Sequence, residues 1–180
     1  MTKLKKQDVT YETFLSISEF IKSRINLKPK VGLILGSGLG SLVSVVENKQ
    51  MIQYASIPEF PVSTVEGHAG QFVFGYIYNV PVVIMQGRFH YYEGYEMTDI
   101  VMPVRVMKLL GIETLFVSNA SGGLNPNFKT GDLMIITDHI NFFPVNPLRG
   151  FNDESFGPRF SDMLKDNHKE LITKEKQIST

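Results

Sequence analysis

The chain of 180 residues balances 18 Lys and Arg residues against 18 Asp and Glu residues, and it contains no cysteine. The charge balance argues against the broad basic field of nucleic-acid-binding proteins. The lack of cysteine excludes a disulfide framework and a thiolate metal site. No apolar run approaches the length of a membrane span, and no apolar signal core follows the basic N-terminus. We therefore expect a single domain, residues 1–180, in the cytoplasm, that binds neither nucleic acid nor membrane.

The first predicted element is a helix from Thr10 to Ile25. Thr10 is a favourable N-cap residue, and apolar side chains recur at the spacing of one helical face. Those side chains are Phe14, Ile17, Ile21 and Ile25. The pattern predicts an amphipathic helix that packs at the edge of the domain.

A short buried strand, Val31 to Leu35, runs directly into the glycine-rich segment Gly36–Ser41, and a short helix is predicted to follow through Val46. Strand, glycine turn and helix in this order expose main-chain N–H groups to a phosphate, and the Ser37 hydroxyl adds a donor. The segment misses the dinucleotide-binding fingerprint because its third glycine, Gly40, comes one residue early. A dinucleotide-binding domain and a purely structural turn remain alternatives.

Two further strands, Gln71 to Ile77 and Val80 to Ile84, are predicted to form a hairpin at Asn79. His68 lies just before the first of them, in the glycine-rich segment Gly67–Gly70. A histidine on a tight glycine turn is poorly placed for a core. It is therefore either an anion donor or an ordinary turn residue, and the sequence leaves both open.

The segment from Met85 to Tyr95 begins where the apolar residues of the second hairpin strand give way to polar ones. In an extended chain alternate side chains share a face, so Arg88, His90 and Tyr92 would lie together. A guanidinium, an imidazole and a phenol hydroxyl suit an anion beside a sugar hydroxyl. The mouth of an α/β sheet is where such sites usually form. The alternative is a solvated edge strand with ordinary polar residues.

The α/β alternation continues beyond this segment. A helix is predicted from Thr98 to Leu110, and its inner face is predicted to carry Ile100, Val104 and Met107. The strand Thr114–Ser118 follows and ends in the small residues of Asn119–Asn125, which let a ligand approach the backbone.

One more strand is predicted over Gly131–Thr137, and Asp138 and His139 follow it. The carboxylate of Asp138 could orient the imidazole of His139 as a base. A histidine that is simply hydrogen-bonded at a strand end is the simpler interpretation.

Together these motifs resemble the purine nucleoside phosphorylases of the homotrimeric type. The resemblance runs from about Tyr11 to Met163, and its motifs are long and specific. They are Leu35–Gly40, Gly67–Gly70, Met85–Tyr95, Asn119–Pro126, Asp138–Arg149 and Asn152–Phe160. The resemblance implies an α/β, phosphorylase-type three-layer fold with a central mixed sheet flanked by helices.

The resemblance also implies reversible phosphorolysis, in which a purine (2'-deoxy)ribonucleoside and phosphate give the free base and (deoxy)ribose 1-phosphate. By motif position, the implied phosphate contacts are Ser37, His68, Arg88, His90 and the main chain at Ala120. Tyr92 is implied to bind the ribose, with His90 and Tyr92 as catalytic residues. Phe160 is implied to reach the ribose from a neighbouring subunit of a homotrimer. The family uses no metal or organic cofactor, because inorganic phosphate is a substrate.

In this family the residues that hold the purine, a Glu and an Asn, and a further phosphate-binding Ser lie in a later part of the chain. We therefore expect a partial phosphorylase domain, incomplete at its C-terminal end, that shows little or no phosphorolysis alone. One alternative is a methylthioadenosine phosphorylase, which the segments at His68 and Arg88 fit less well. Another is a catalytically inactive remnant that binds phosphate or nucleoside. The purine-binding residues and the preferred purine stay unknown.

Overall fold

The computed structural model describes residues 9–62, 70–160 and 169–178. The chain divides into two compact units, Met1–Ala120 and Ser121–Thr180. In the described ranges, the first unit contains a β-sheet and two α-helices, and the second contains one α-helix near its end.

The first unit is organised around a mixed sheet with the strand order β2-β3-β4-β1-β5. The β4–β1 and β1–β5 pairs are parallel, whereas the β2–β3 and β3–β4 pairs are antiparallel. This arrangement confirms the α/β class and the mixed sheet that the sequence predicts. The strands are β1 (Val31–Ile34), β2 (Glu47–Gln53), β3 (Gln71–Ile77), β4 (Val80–Gln86) and β5 (Thr114–Val117).

The hairpin between β3 and β4 forms as predicted. Ile77 pairs with Val80, so Tyr78 and Asn79 make a two-residue turn. Both residues have positive φ angles, 46° and 65°. Two-residue hairpin turns of the I′ type require this left-handed conformation, which asparagine tolerates better than most residues.

The three parallel strands end at one edge of the sheet. Ile34 of β1 pairs with Met85 of β4 on one side and with Val117 of β5 on the other. The segments that follow β1, β4 and β5 therefore emerge beside one another. In an α/β sheet the crevice beyond these carboxyl ends is the usual place for a ligand.

Helix α1 (Tyr11–Lys22) begins after Thr10, as predicted, and its buried face includes Phe14, Ile17 and Ile21. The helix ends three residues earlier than predicted, although Ile25 is still buried. It packs against the second helix, α2 (Met97–Leu110).

The inner face predicted for α2 is largely wrong. Met107 is buried, but Ile100 and Val104 are only half-buried. The other buried residues of the helix are Met102, Pro103, Val106 and Leu110. Because α2 is apolar on almost every side, the spacing of its apolar residues does not identify the side that packs inward.

The observed strands differ from the predicted ones in two places. The sequence predicts a strand over Gly131–Thr137, but the structure gives this segment no strand, and Leu133 is 92% exposed. An extended segment becomes a strand only when a neighbour accepts and donates its main-chain hydrogen bonds, and no described residue pairs with it in this way. Strand β2 was not predicted, because Glu47–Gln53 lacks an apolar run and forms an edge of the sheet.

The second unit has mostly exposed side chains among its described residues. Its clearest tertiary link is Arg159, whose guanidinium donates to the carbonyl oxygens of Leu148 and Gly150 at 2.5 and 2.6 Å. Helix α3 (Lys169–Ile178) lies in the charged C-terminal stretch. Within the three described ranges, no helix has the length and apolar character that crossing a membrane demands.

Candidate functional site

The glycine turn after β1 is the first part of the candidate site. The carbonyl of Gly36 accepts from the N–H of Leu39 at 3.2 Å, and Gly38 has a φ of 86°. A β-turn with a left-handed third residue needs glycine at that position. Ser37 sits at the outside of this turn and is exposed, so its hydroxyl is accessible to a ligand.

The helix after the turn is a 3₁₀ helix, Gly40–Val45, and it is only six residues long. A dinucleotide-binding fold places the pyrophosphate at the N-terminus of an α-helix that follows the glycine loop. The structure therefore disfavours the dinucleotide-binding alternative. An anion bound at this glycine turn would therefore contact groups of the turn and not the N-terminus of an α-helix.

Arg88 is held in place by two hydrogen bonds beyond the end of β4. Gly87, with a φ of 101°, redirects the chain after Gln86. The Arg88 Nε–H donates to Nε2 of His90 at 3.1 Å, and Nη1 donates to the main-chain oxygen of Ser118 at 2.9 Å. The other terminal nitrogen, Nη2, has no acceptor among the residues that the structure describes. A fixed guanidinium with spare donors is well suited to a phosphate.

His90 is bound through both ring nitrogens. Its Nδ1 lies against a carboxylate oxygen of Glu93, and that same oxygen accepts from the His90 main-chain N–H at 3.0 Å. A carboxylate accepts and a guanidinium donates, so this arrangement assigns the proton of the neutral ring to Nδ1 and leaves Nε2 as an acceptor toward Arg88. The Glu93 side chain is only 4% exposed. Sequence analysis missed Glu93, although its position three residues after a histidine was the available signal.

Tyr92 stacks on His90. The ring centroids are 4.8 Å apart and the ring planes differ by 20°. Tyr92 is 79% exposed, so its hydroxyl is accessible. The predicted shared face of Arg88, His90 and Tyr92 therefore exists, but a turn and the short 3₁₀ helix Tyr91–Glu93 create it rather than an extended strand.

The end of β5 completes the candidate site. The hydroxyl of Ser118 accepts from the N–H of Gly36 at 3.0 Å, while its carbonyl accepts from Arg88. Ala120 follows two residues later and is exposed; its carbonyl accepts from the Asn119 side chain at 3.2 Å. Ser118 therefore contacts both the glycine turn and Arg88, and it lies two residues before Ala120.

An aromatic cluster supports this site from the core. Tyr54 is fully buried, and its hydroxyl donates to the carbonyl of Gly87 at 2.8 Å. Its ring contacts Phe60, Phe72 and Phe89 at centroid distances of 5.3, 5.0 and 5.4 Å. Burial raises the pKa of the Tyr54 phenol above its ordinary value. Sequence analysis did not single out Tyr54, since it follows the unpredicted strand β2.

Four sequence-predicted residues are not placed in this cluster by the structure. His68 lies outside the described residues. Phe160 belongs to the second unit and is 89% exposed. In the same unit, the carboxylate of Asp138 accepts from the main-chain N–H of His139 at 2.8 Å, rather than from its imidazole. The oriented base suggested for Asp138 and His139 is therefore not formed.

The sequence model of the Phosphorylase superfamily matches residues 30–175, a range that includes the glycine turn and the Arg88–Glu93 segment. The chain belongs to the phosphorylase superfamily. Purine nucleoside phosphorylase 1 of Bacillus subtilis is 57% identical over 160 residues, which cover 89% of this chain and 59% of that protein. The purine nucleoside phosphorylase of Rattus norvegicus is 50% identical over 161 residues, which cover 88% of this chain and 56% of the rat protein.

Solved structures of this superfamily have the same fold. A Schistosoma mansoni purine nucleoside phosphorylase isoform, in complex with cytosine and ribose-1-phosphate, matches with a TM-score of 0.85 at 42% identity. That match covers 94% of this chain and 62% of the solved chain. A Schistosoma complex with hypoxanthine matches with a TM-score of 0.88 at 40% identity, over 94% of this chain and 61% of the solved one. The family resemblance and fold class expected from the sequence are confirmed, and the chain spans less than two thirds of the length of these relatives.

Proposed function

We propose that this protein acts in the reversible phosphorolysis of purine (2'-deoxy)ribonucleosides, giving the free purine and (deoxy)ribose 1-phosphate. The observation that carries the proposal is the arrangement of Arg88 and His90 beside the glycine turn, at the carboxyl edge of the sheet. The two relatives from Bacillus subtilis and Rattus norvegicus are both purine nucleoside phosphorylases, which favours purine nucleosides over methylthioadenosine as substrates.

The phosphate side of the proposed site consists of Ser37, Arg88, His90 and the main chain at Ala120, with His68 as a further donor. Arg88 supplies a fixed positive charge and the donors of Nη2. His90 supports this side by accepting from the Arg88 Nε–H through Nε2, while the Glu93 carboxylate holds the ring at Nδ1. Together these groups would hold a phosphate dianion in one orientation.

Orientation matters because the phosphate must attack the anomeric carbon of the ribose as the purine leaves from the other face. As the bond between the ribose and the purine breaks, positive charge develops on the sugar in an oxocarbenium-like transition state. A phosphate anion fixed beneath the sugar stabilises that charge. Positioning of two reactants in this way can contribute several kcal/mol to lowering the barrier. No step requires a metal or an organic cofactor.

The ribose side of the proposed site consists of Tyr92 and Phe160. Tyr92 is exposed and its ring stacks on His90, which supports a contact between its hydroxyl and the sugar. Phe160 would come from a neighbouring subunit of a homotrimer, and its 89% exposure in one chain suits that role. The proposal also places the activity of the protein in the cytoplasm.

The proposal is tested by mixing the purified protein with inosine while the phosphate concentration is varied. We expect any hypoxanthine release to be weak and to depend on phosphate, with ribose 1-phosphate as the second product. Calorimetry with phosphate and inosine then separates binding from turnover. Release of hypoxanthine without phosphate, or no binding of phosphate, would refute the proposal. Binding of both ligands without release would favour the alternative of a catalytically inactive binding protein.

A further inference from the structure

Ser118 connects three parts of the site through separate atoms. Its hydroxyl donates to the carbonyl of Ile34 at 3.2 Å and accepts from the N–H of Gly36 at 3.0 Å. Its main-chain N–H also donates to Ile34, at 3.0 Å. Its carbonyl accepts from Nη1 of Arg88 at 2.9 Å. One residue therefore touches both the first residue of the glycine turn and the guanidinium.

The contact between the glycine turn and the end of β5 is unusually close. A Cβ atom added to Gly36 would lie 2.6 Å from Cα of Asn119 and 2.8 Å from the carbonyl oxygen of Ser118. Any side chain at Gly36 would push the two segments apart. With glycine there, the spacing between the turn and the end of β5 is set by backbone contact and by the Ser118 hydroxyl.

From this geometry we infer that Ser118 is a positioning residue for the anion site, an inference that rests on the proposed function. Ser118 sets the distance between the glycine turn, which carries Ser37, and the guanidinium of Arg88. A phosphate bound by both must meet both sets of donors at once. Losing the Ser118 hydroxyl frees the Gly36 N–H and loosens the turn, whereas the main-chain bonds of Ser118 remain.

Removal of the Ser118 hydroxyl should therefore weaken phosphate binding rather than nucleoside binding. A single neutral hydrogen bond is worth about 1 kcal/mol, so we expect phosphate to bind about fivefold more weakly to Ser118→Ala. The affinity for inosine should change less than twofold, because the proposed ribose contacts of Tyr92 lie on another segment. If Ser118 only stabilised the end of β5, its substitution would not weaken phosphate binding selectively over inosine binding.

The test measures dissociation constants for phosphate and inosine by calorimetry on the purified protein. Ser118→Thr retains the hydroxyl and should restore wild-type phosphate affinity. Ser118→Cys keeps nearly the same volume with a weaker hydrogen-bonding group, so it reports on the site if the alanine variant fails to fold. The matched control is Ser18→Ala, which removes a buried hydroxyl that donates to the Leu15 carbonyl at 2.9 Å within α1.

Weaker phosphate binding in Ser118→Ala or Ser118→Cys, with unchanged inosine binding, would support the inference, provided that Ser118→Thr and Ser18→Ala behave as wild type. Equal phosphate affinity in wild type, Ser118→Ala and Ser118→Cys would overturn the role of Ser118 and leave the proposed function intact. Parallel loss of both ligands would also overturn it. If the wild-type protein binds no phosphate, the proposed function and this inference both fail.

Discussion

The two ring nitrogens of His90 face groups of opposite charge, Glu93 on one side and Arg88 on the other. Neither partner can exchange its role, because a carboxylate only accepts and a guanidinium only donates. The ring is therefore fixed in rotation and in tautomer before any ligand arrives. Such preorganisation is what a site needs if it is to orient an anion rather than merely attract one.

This arrangement predicts the proton position on His90. In the ligand-free protein the neutral ring should carry its proton on Nδ1, which nitrogen-15 NMR of the imidazole detects directly. In Glu93→Gln the amide both donates and accepts, so the single form should give way to a mixture. The ring of His139, exposed in the second unit, serves as an internal control and should not change. A wild-type His90 ring protonated on Nε2 would show that Glu93 does not hold the ring as described.

At the level of secondary structure, the turn at the end of β4 positions Arg88, and buried side chains hold that turn in place. Gly87 changes the direction of the chain, and the buried Tyr54 hydroxyl holds its carbonyl. The aromatic cluster of Tyr54, Phe60, Phe72 and Phe89 joins the segment after β2, strand β3 and the Arg88 segment in one packed group. The site loop is therefore tied to the core rather than free at the surface.

Burial of Tyr54 predicts a loss of stability in alkaline solution. Its pKa is raised by burial above the ordinary value of 10.0, so the folded state keeps the phenol proton where the unfolded chain releases it. As the pH rises above about 10, the free energy of unfolding should fall by up to about 1.4 kcal/mol per pH unit from this group. Tyr54→Phe should remove that slope and cost about 1 kcal/mol at neutral pH, where the hydrogen bond to Gly87 is lost.

The measurement is urea unfolding of the wild type and the variant between pH 8 and pH 11. Tyr78→Phe is the matched control, because Tyr78 is 92% exposed and should leave the slope unchanged. Identical alkaline slopes in the wild type and Tyr54→Phe would mean that Tyr54 is not buried in the folded state.

Much of the sheet could be predicted from the sequence, since β1, β3, β4 and β5 are apolar runs bounded by glycine or turn residues. The glycine turn and the Arg88 segment follow such strands, and for that reason their positions at one sheet edge could be anticipated. The role of Glu93 could not, because it depends on the 3₁₀ helix that folds the segment back on His90. Tyr54 could not be identified because the strand before it, β2, is polar at most positions and pairs on one side only.

The Gly131–Thr137 segment was predicted as a strand, but the structure shows no strand there. Its continuous apolar run, Leu133–Ile136, is typical of a buried strand, but a pattern supplies no pairing partner. In the described residues the segment is exposed, and several large apolar side chains nearby are exposed as well. Those with exposures above 80% are Leu124, Leu133, Ile140, Phe142, Phe151 and Phe160.

At the scale of the whole molecule, the proposed homotrimer makes a prediction about Phe160. Phe160→Ala should weaken inosine binding while leaving phosphate affinity and the free energy of unfolding almost unchanged. The physical reason is that an exposed ring contributes little to its own chain but much to an apolar contact with a neighbour's ligand. Calorimetry with each ligand separates the two effects.

Phe151→Ala is the matched control for Phe160→Ala. Phe151 is 94% exposed in the same unit, and nothing assigns it to the ribose. Equal inosine affinities in both variants and the wild type would remove Phe160 from the ribose site.

The most direct test of the central claim, that the Arg88 cluster is a phosphate site, is calorimetric titration of phosphate into three proteins. These are the wild type, Arg88→Met and Arg24→Met. Both variants lose one positive charge, but Arg24 lies exposed beyond the end of α1, with its guanidinium over the Phe20 ring. A hydrogen bond to a charged group is worth about 1.5–3 kcal/mol, so Arg88→Met should bind phosphate at least about tenfold more weakly, and Arg24→Met should resemble the wild type. Phosphate affinities that are equal in Arg88→Met and the wild type would contradict the account.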